Sequence, residues 1–344
     1  MAWPSAQDYN DAVQNAAANF EDPELKAASV DLGPMGLPKP YSGNFASVYV
    51  LSNGAKRSAV KCFLFQISEQ SQRYKAITDQ LLLSRFPFTV QFVYQPHGIK
   101  VKGEWYPILK MDWVDGELLH EYVNRNIGNK DALNTVAEEW LKMNAKLKSA
   151  GVAHGDLQHS NIIVSQDKLH LIDYDGMYVP GLSKFKAVER GVEHYQHPKR
   201  RRQYGDYLDH FSQWIIYSTL VALVHEPALW NKFNGADDYM LFEKHDYKEP
   251  QSSELFKALN EIGGTPKELG GMIQQFISGE MEAVPQLNPE MVLGHQAWWD
   301  GAPAVSSPVP VATSSSKKND ATEVKPDPKR DDKPNESGWW GSGT

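Results

Sequence analysis

The sequence predicts an α+β chain of two lobes: a small antiparallel sheet with one helix, then a larger helical part. Three observations predict it. Between residues 39 and 114 β-prone runs dominate, and Asn53-Gly54 separates two of them as a hairpin signal. Further on, Leu133, Val136, Trp140, Met143 and Leu147 recur at spacings of 3 and 4, one apolar stripe on a helix. Finally, "FSQWIIYSTLVALV" is apolar on nearly every face, the pattern of a helix buried on all sides.

The elements follow in order. Residues 1–38 form an extension of mixed character, with a short helix expected in "SAQDYNDAVQNAAANF" and an irregular path in "LGPMGLPKP". In the small lobe, residues 39–114, "NFASVYVL" and "SAVKCFLF" are strands joined by a turn needing positive φ at both central positions. "EQSQRYKAITDQLLLSR" reads as a helix, and the run from Thr89 to Val114 as two or three strands. The large lobe spans residues 115–300. Asn129 caps the start of its striped helix and Gly151 stops it. Residues 301–344 are rich in Ser, Pro, Lys and Asp and cannot bury enough surface to order themselves. This tail ends in "SGWWGSGT", where Trp339 and Trp340 are either a sticky end or a docking motif for a partner.

Composition narrows the function. The chain has 344 residues, 41% hydrophobic, and a net charge of -8, which argues against general nucleic-acid binding. The single cysteine, Cys62, allows no internal disulfide and suits a reducing, cytoplasmic setting. No signal-peptide pattern opens the sequence, and "WIIYSTLVALV" is too short to span a bilayer.

The stretch "VAHGDLQHSNIIVSQDKLHLIDYDGM" carries Asp156, Asn161 five residues on, and Asp173 twelve further. Two acids and an amide at this rhythm either hold metal ions and a phosphate or sit by chance in a hairpin. Three more motifs bear on that choice. "AVKCF" precedes it, "LKMDWVDGELL" lies between, and "LIDYDG" closes it. Together they resemble the protein-kinase-like superfamily across residues 39 to 300. "GNFASVYVL", "HGDLQHSN" and "DYDGMYVP" resemble a bacterial serine/threonine kinase-like branch within it.

That resemblance implies a bilobal kinase fold and a phosphotransferase using ATP and Mg2+. Phosphoryl transfer needs positioned charge around a triphosphate and an oriented hydroxyl. The resemblance assigns Asp156 to accept the hydroxyl proton, Lys61 to the phosphates, and Asn161 and Asp173 to magnesium. Gly43, Phe45, Val48, Ala59, Met111, Asp112, Val114 and Glu117 complete the nucleotide site: Phe45 over the phosphates, Val48 over adenine, Met111 behind it, Asp112 and Val114 pairing with it, Glu117 at the ribose. Asp175 is the alternative to Asp173 as metal ligand. Asp209 would hold the catalytic loop from below, and His154 would pack to support it.

The sequence also departs from the family. The phosphate loop, Tyr41-Ser42-Gly43-Asn44-Phe45-Ala46, keeps only its central glycine. The glutamate that pairs with the lysine is missing, and Asp79 is the best match. Gly155 stands where many kinases carry an arginine, and Lys199 follows Pro198 in place of an acid. The basic run Lys199 to Arg202 is either a solvated face or a site for an acidic peptide or other anion. Protein Ser/Thr hydroxyls are the expected acceptors. The alternatives are a small-molecule kinase of the aminoglycoside or sugar type, suggested by "HGD" and Gln158, and a nucleotide-binding pseudokinase acting as a scaffold.

Overall fold

The computed structural model describes residues 3–42, 45–236 and 238–288. Gly43 lies outside the described residues, as does the tail with Trp339 and Trp340.

Three short helices lead the chain: α1 (Ala6–Val13), α2 (Ala16–Asn19) and α3 (Pro23–Lys26). Strands β1 (Ser29–Val30), β2 (Tyr41–Ser42), β3 (Ala46–Asn53) and β4 (Lys56–Phe63) follow, then α4 (Gln70–Ser84), β5 (Phe92–Val101) and β6 (Glu104–Asp112). The sheet runs β1-β3-β4-β6-β5, with β2 also paired to β3, and its pairings are antiparallel.

Alternation along β3 and β4 explains why they read as nearly continuous apolar runs. Val48, Ala59 and Phe63 face an inner core with Leu109 and Met111. Tyr49, Leu51, Val60 and Cys62 face an outer core with Tyr9, Val13, Phe20 and Leu25 of the first helices. Both faces are covered, so both sets of side chains are apolar. The first helices cover the outer face of this sheet and β1 joins its edge beside β3. The Tyr9 hydroxyl donates to the Phe63 carbonyl at 2.8 Å, and the Tyr49 hydroxyl to Asn10 Oδ1 at 2.7 Å.

The β3–β4 turn differs from expectation by one residue. Asn53 pairs with Lys56, so Gly54 and Ala55 are the central positions. Only Gly54 has positive φ, at 61°. That sign pattern belongs to a type II′ turn rather than type I′.

The large lobe opens with β7 (Glu117–Leu118), α5 (Leu119–Arg125) and α6 (Lys130–Ser149), then β8 (Ile162–Ser165) and β9 (Lys168–Leu171). Its remaining helices are α7 (His210–His225), α8 (Ala228–Phe233), α9 (Lys244–Lys248), α10 (Glu254–Ile262) and α11 (Gly264–Ser278). The five stripe residues of α6 are all buried. The Asn129 side chain accepts from the Ala132 N–H at 3.2 Å and caps α6. At the other end Gly151 has φ 62°, with Val152 N–H bonded to Leu147 O and Gly151 N–H to Lys148 O, a Schellman ending. From Phe211 to Val224 each residue of α7 is buried, and the Trp140 indole donates to the Gln213 carbonyl at 3.0 Å. Among the described residues no helix is long and apolar enough to cross a membrane.

Candidate active site

The small lobe contributes Lys61. It sits on β4 opposite Val48 of β3 and Leu109 of β6, and is only 4% exposed. Its ammonium donates to Asp173 Oδ1 at 2.7 Å and to Asp175 Oδ2 at 2.8 Å. Burial opposes the lysine charge, but the two carboxylates outweigh it and raise its pKa above the ordinary lysine value. The Asp175 side chain is 8% exposed. Burial pushes its pKa up, Lys61 pulls it down, and the Tyr74 hydroxyl of α4 donates to its other oxygen.

This arrangement corrects the expectation for Asp79. Asp79 is well exposed and pairs with Lys75 of its own helix at 2.7 Å, away from buried Lys61. Tyr74 and Ile77 are the buried face of α4. Asp79 is two residues past Ile77, roughly 200° around the helix, so it faces solvent. The tie between α4 and the lysine runs instead through Tyr74 and Asp175. Glu117 pairs with Arg125, whose Nε lies 2.9 Å from both of its carboxylate oxygens.

The other small-lobe candidates fall on the inner side. Val48, Ala59 and Met111 are buried in the core that faces the large lobe. Asp112 ends β6, its N–H bonded to the Gln91 carbonyl at 3.0 Å, and Val114 packs on the same core. Phe45 packs edge-on against Phe65 and lines a cavity of about 370 Å³ with Asp156 and residues 187–192.

The large lobe contributes the catalytic loop. Asp209, at the N-cap of α7, is 1% exposed. Its carboxylate accepts the backbone N–H groups of His154 and Gly155, the latter at 2.8 Å. Burial raises the Asp209 pKa, against which those two hydrogen bonds act. The His154 ring donates through Nε2 to the Ile172 carbonyl at 2.8 Å, a packing role. Asp156 then stands at the cleft. Its Oδ2 accepts from Gln158 at 2.9 Å and from Asn161 at 3.1 Å, and its Oδ1 from the Val192 N–H at 3.0 Å. Asn161 also donates to the Asp156 carbonyl at 2.9 Å, which turns its amide oxygen away from that residue.

Gly155 has a steric reason. Its φ is 84°, and a Cβ there would lie 2.1 Å from the Gly176 carbonyl oxygen. The loop and the segment after Asp175 are held together by paired bonds between Ala153 and Tyr178, at 3.0 and 2.8 Å. No arginine fits at that position. Beyond it Val179 and Leu182 are fully buried, anchoring the following segment.

Two participants escaped the sequence reading. Tyr174, fully buried, donates from its hydroxyl to Leu171 O at 2.6 Å and accepts from Val90 N–H at 2.7 Å, tying the lobes together. Glu189 reaches into the cleft, where a Cβ on Gly176 would lie 2.7 Å from its Oε1. Burial first, then repulsion from Asp156, Asp173 and Asp175, pushes its pKa well above the usual carboxylate range. One signal was available: Glu189 is the single acid between Asp175 and Glu193.

A buried lysine thus bridges two acids beside a loop that presents an acid and an amide. Residues 93–208 match the family model described as RIO domain. The fold is protein-kinase-like. The RIO domain belongs to that superfamily, and the match indicates an atypical kinase-like, ATP-binding phosphotransferase. It begins within β5 and ends just before Asp209, so it takes in the hinge, the catalytic loop and Asp173 but not Lys61. No curated protein matches the chain.

Proposed function

We propose that this kinase-like chain uses ATP and Mg2+ to phosphorylate Ser or Thr hydroxyls of a protein. The observation that carries the proposal is the convergence of Lys61 and Asp173, 2.7 Å apart, beside the loop that holds Asp156 and Asn161.

The residues fit both groups. Magnesium at nucleotide sites needs one or two protein oxygens, the rest coming from phosphates and water. Asp173, more open to the cleft than Asp175, and the Asn161 amide oxygen are hard donors of that kind. Bound there, the ion would supply charge to neutralise the phosphates.

The chain's own groups do the rest. Lys61 offers a cation on the inner sheet face, and Val48, Ala59 and Met111 offer apolar surface for a base beside the Asp112–Val114 hinge. The Asp156 carboxylate orients an acceptor hydroxyl and takes its proton. Asn161 and Gln158 hold that carboxylate in place. We infer a bacterial placement within the superfamily from the sequence motifs alone.

A second reading, a small-molecule kinase, draws on Gln158. This neutral donor bonds to Asp156 where protein kinases usually carry a lysine, so the acceptor site has one fewer cation for a peptide hydroxyl. The test is purified protein with labelled ATP and magnesium, offered generic proteins and, separately, aminoglycosides and sugars. Label on protein Ser or Thr supports the first reading and label on a small molecule the second. ATP binding with no transfer to any acceptor leaves a scaffold.

A further inference from the structure

The sequence marked Lys199 to Arg202 as a basic run without assigning it. In the structure Arg200 and Arg201 of that run line a cavity of about 380 Å³, while Lys199 pairs with Glu280 at 2.7 Å and Arg202 lines the cavity that holds Asp156. Arg190, Arg200, Arg201 and, from α9, Lys244 and Lys248 line the 380 Å³ cavity. Five cations therefore converge in a protein whose net charge is -8. Lys244 is paired with Glu193 at 3.1 Å. Glu193 is the one carboxylate in the lining, and its charge is shared among Lys244, Lys248 and Arg190, so the cations outnumber it.

Two buried donors sharpen the picture. Arg200 is 5% exposed, donates from Nη1 to the Gln203 carbonyl at 2.6 Å, and leaves Nε without an acceptor. Gln196 is as deeply buried, and its Nε2 has no acceptor either. Buried N–H groups are almost always satisfied. Both side chains line a cavity rich in positive charge, a setting that suits an oxyanion.

The cavity adjoins the proposed base. Its wall is Gly191, which also lines the cavity holding Asp156. A Cβ on Gly191 would lie 2.6 Å from Gln196 Nε2 and 2.7 Å from Asp156 Oδ1. One residue of backbone thus separates Gln196 in the lining of this cavity from the acid that orients the acceptor.

We propose that this cavity binds the acidic side chains of a peptide acceptor, one to three residues from the hydroxyl placed at Asp156. The inference rests on the phosphotransferase reading for what happens at that hydroxyl, but not for the binding itself. An extended peptide advances about 3.3 Å per residue, so neighbouring side chains span the distance from Asp156 to the cavity. A cavity of about 380 Å³ is several times the volume of one anionic group, since a water occupies about 30 Å³. Cations spread over separate elements suit several carboxylates in series better than a single ion.

The test uses the full chain and fluorescent peptides: one with a serine flanked by Asp and Glu, one with the serine flanked by Lys and Arg. Anisotropy should show the acidic peptide binding, more weakly as salt rises, and the basic one not binding. Arg201→Glu with Lys248→Glu, both at exposed positions, should weaken acidic-peptide binding about tenfold or more while calorimetry shows ATP affinity unchanged. Arg201→Ala with Lys248→Ala, a milder pair, guards against misfolding and should weaken it about threefold. Equal binding of both peptides, or parent-like binding by the charge-reversed protein, overturns the proposal. So does tight binding of inorganic phosphate that depends on Arg201 and Lys248 when the acidic peptide fails to bind. Acidic-peptide binding without transfer of label from ATP keeps this inference and defeats the phosphotransferase reading. Transfer that ignores flanking charge does the reverse.

Discussion

Asp209 and Glu189 are two acids packed around the same catalytic loop, and they live in opposite conditions. Burial raises the pKa of both. Beneath the loop, Asp209 accepts two backbone N–H groups, so its charge is satisfied by the structure it holds. Above the loop, Glu189 faces Asp156, Asp173 and Asp175, with the Lys61 cation engaged by the latter two. The first acid is an anchor. The second is a poorly compensated charge on the segment that closes over Asp156 through Val192. The contrast separates the hydrogen-bonded floor of the site from the acid above it, and substitutions at both ends can sharpen or break it.

The largest effect belongs to the floor. Asp209→Ala strands two buried N–H groups, each costing about 1–3 kcal/mol. A loss of about 2–5 kcal/mol in denaturant unfolding is expected, together with loss of turnover, because the loop carrying Asp156 is released. Unchanged stability would falsify the anchoring role.

Next comes the residue between the two acids. Asp156→Asn should retain ATP affinity by calorimetry and lower turnover by about 10²- to 10⁴-fold. Parent-like turnover would remove Asp156 from the chemistry.

A smaller effect is expected where α4 meets the cleft. Tyr74→Phe deletes the hydroxyl on Asp175 and should cost about 1 kcal/mol in thermal or denaturant unfolding. Asp79→Asn, on the exposed face of α4, should change stability by less than about 0.5 kcal/mol. If Asp79→Asn is the more damaging of the two, the lysine's tie to α4 runs through Asp79 after all.

The smallest effect has the opposite sign. A carboxyl whose native pKa is raised holds its proton more tightly folded than unfolded. Its contribution to stability therefore falls as pH climbs above the ordinary carboxylate range, and levels off once pH passes the raised value. Glu189→Gln mimics the protonated form. It should melt above the parent at pH 8, and the two curves should converge near pH 4. A variant that melts below the parent at pH 8 would mean that the Glu189 charge is compensated in the native cleft.

Much of this molecule can be read from local pattern. The apolar stripe of α6, the fully apolar run of α7 and the alternating strands β3 and β4 each state which surfaces are covered, because burial repeats with the period of the element. The Asp156, Asn161 and Asp173 rhythm is equally legible, since loop and hairpin geometry sets those distances within one short segment. The turn at Gly54 was misplaced by one residue because strand pairing on both sides, not the Asn-Gly pair alone, chose the register.

What tertiary structure alone decided is which distant groups meet. Asp79 lost its expected partner because packing of Tyr74 and Ile77 turned α4 and left Asp79 in water. Asp175 took that place because the chain after β9 passes directly under β4. Glu117 pairs with Arg125, the last residue of α5. Gly155 is required by a backbone on the far side of the loop, which no spacing rule encodes. The basic cavity joins residues from 190 to 248 that are unremarkable apart in sequence. Periodicity reports what one element buries, whereas charge pairing depends on how elements are oriented against one another, and that orientation is settled only when the whole core packs.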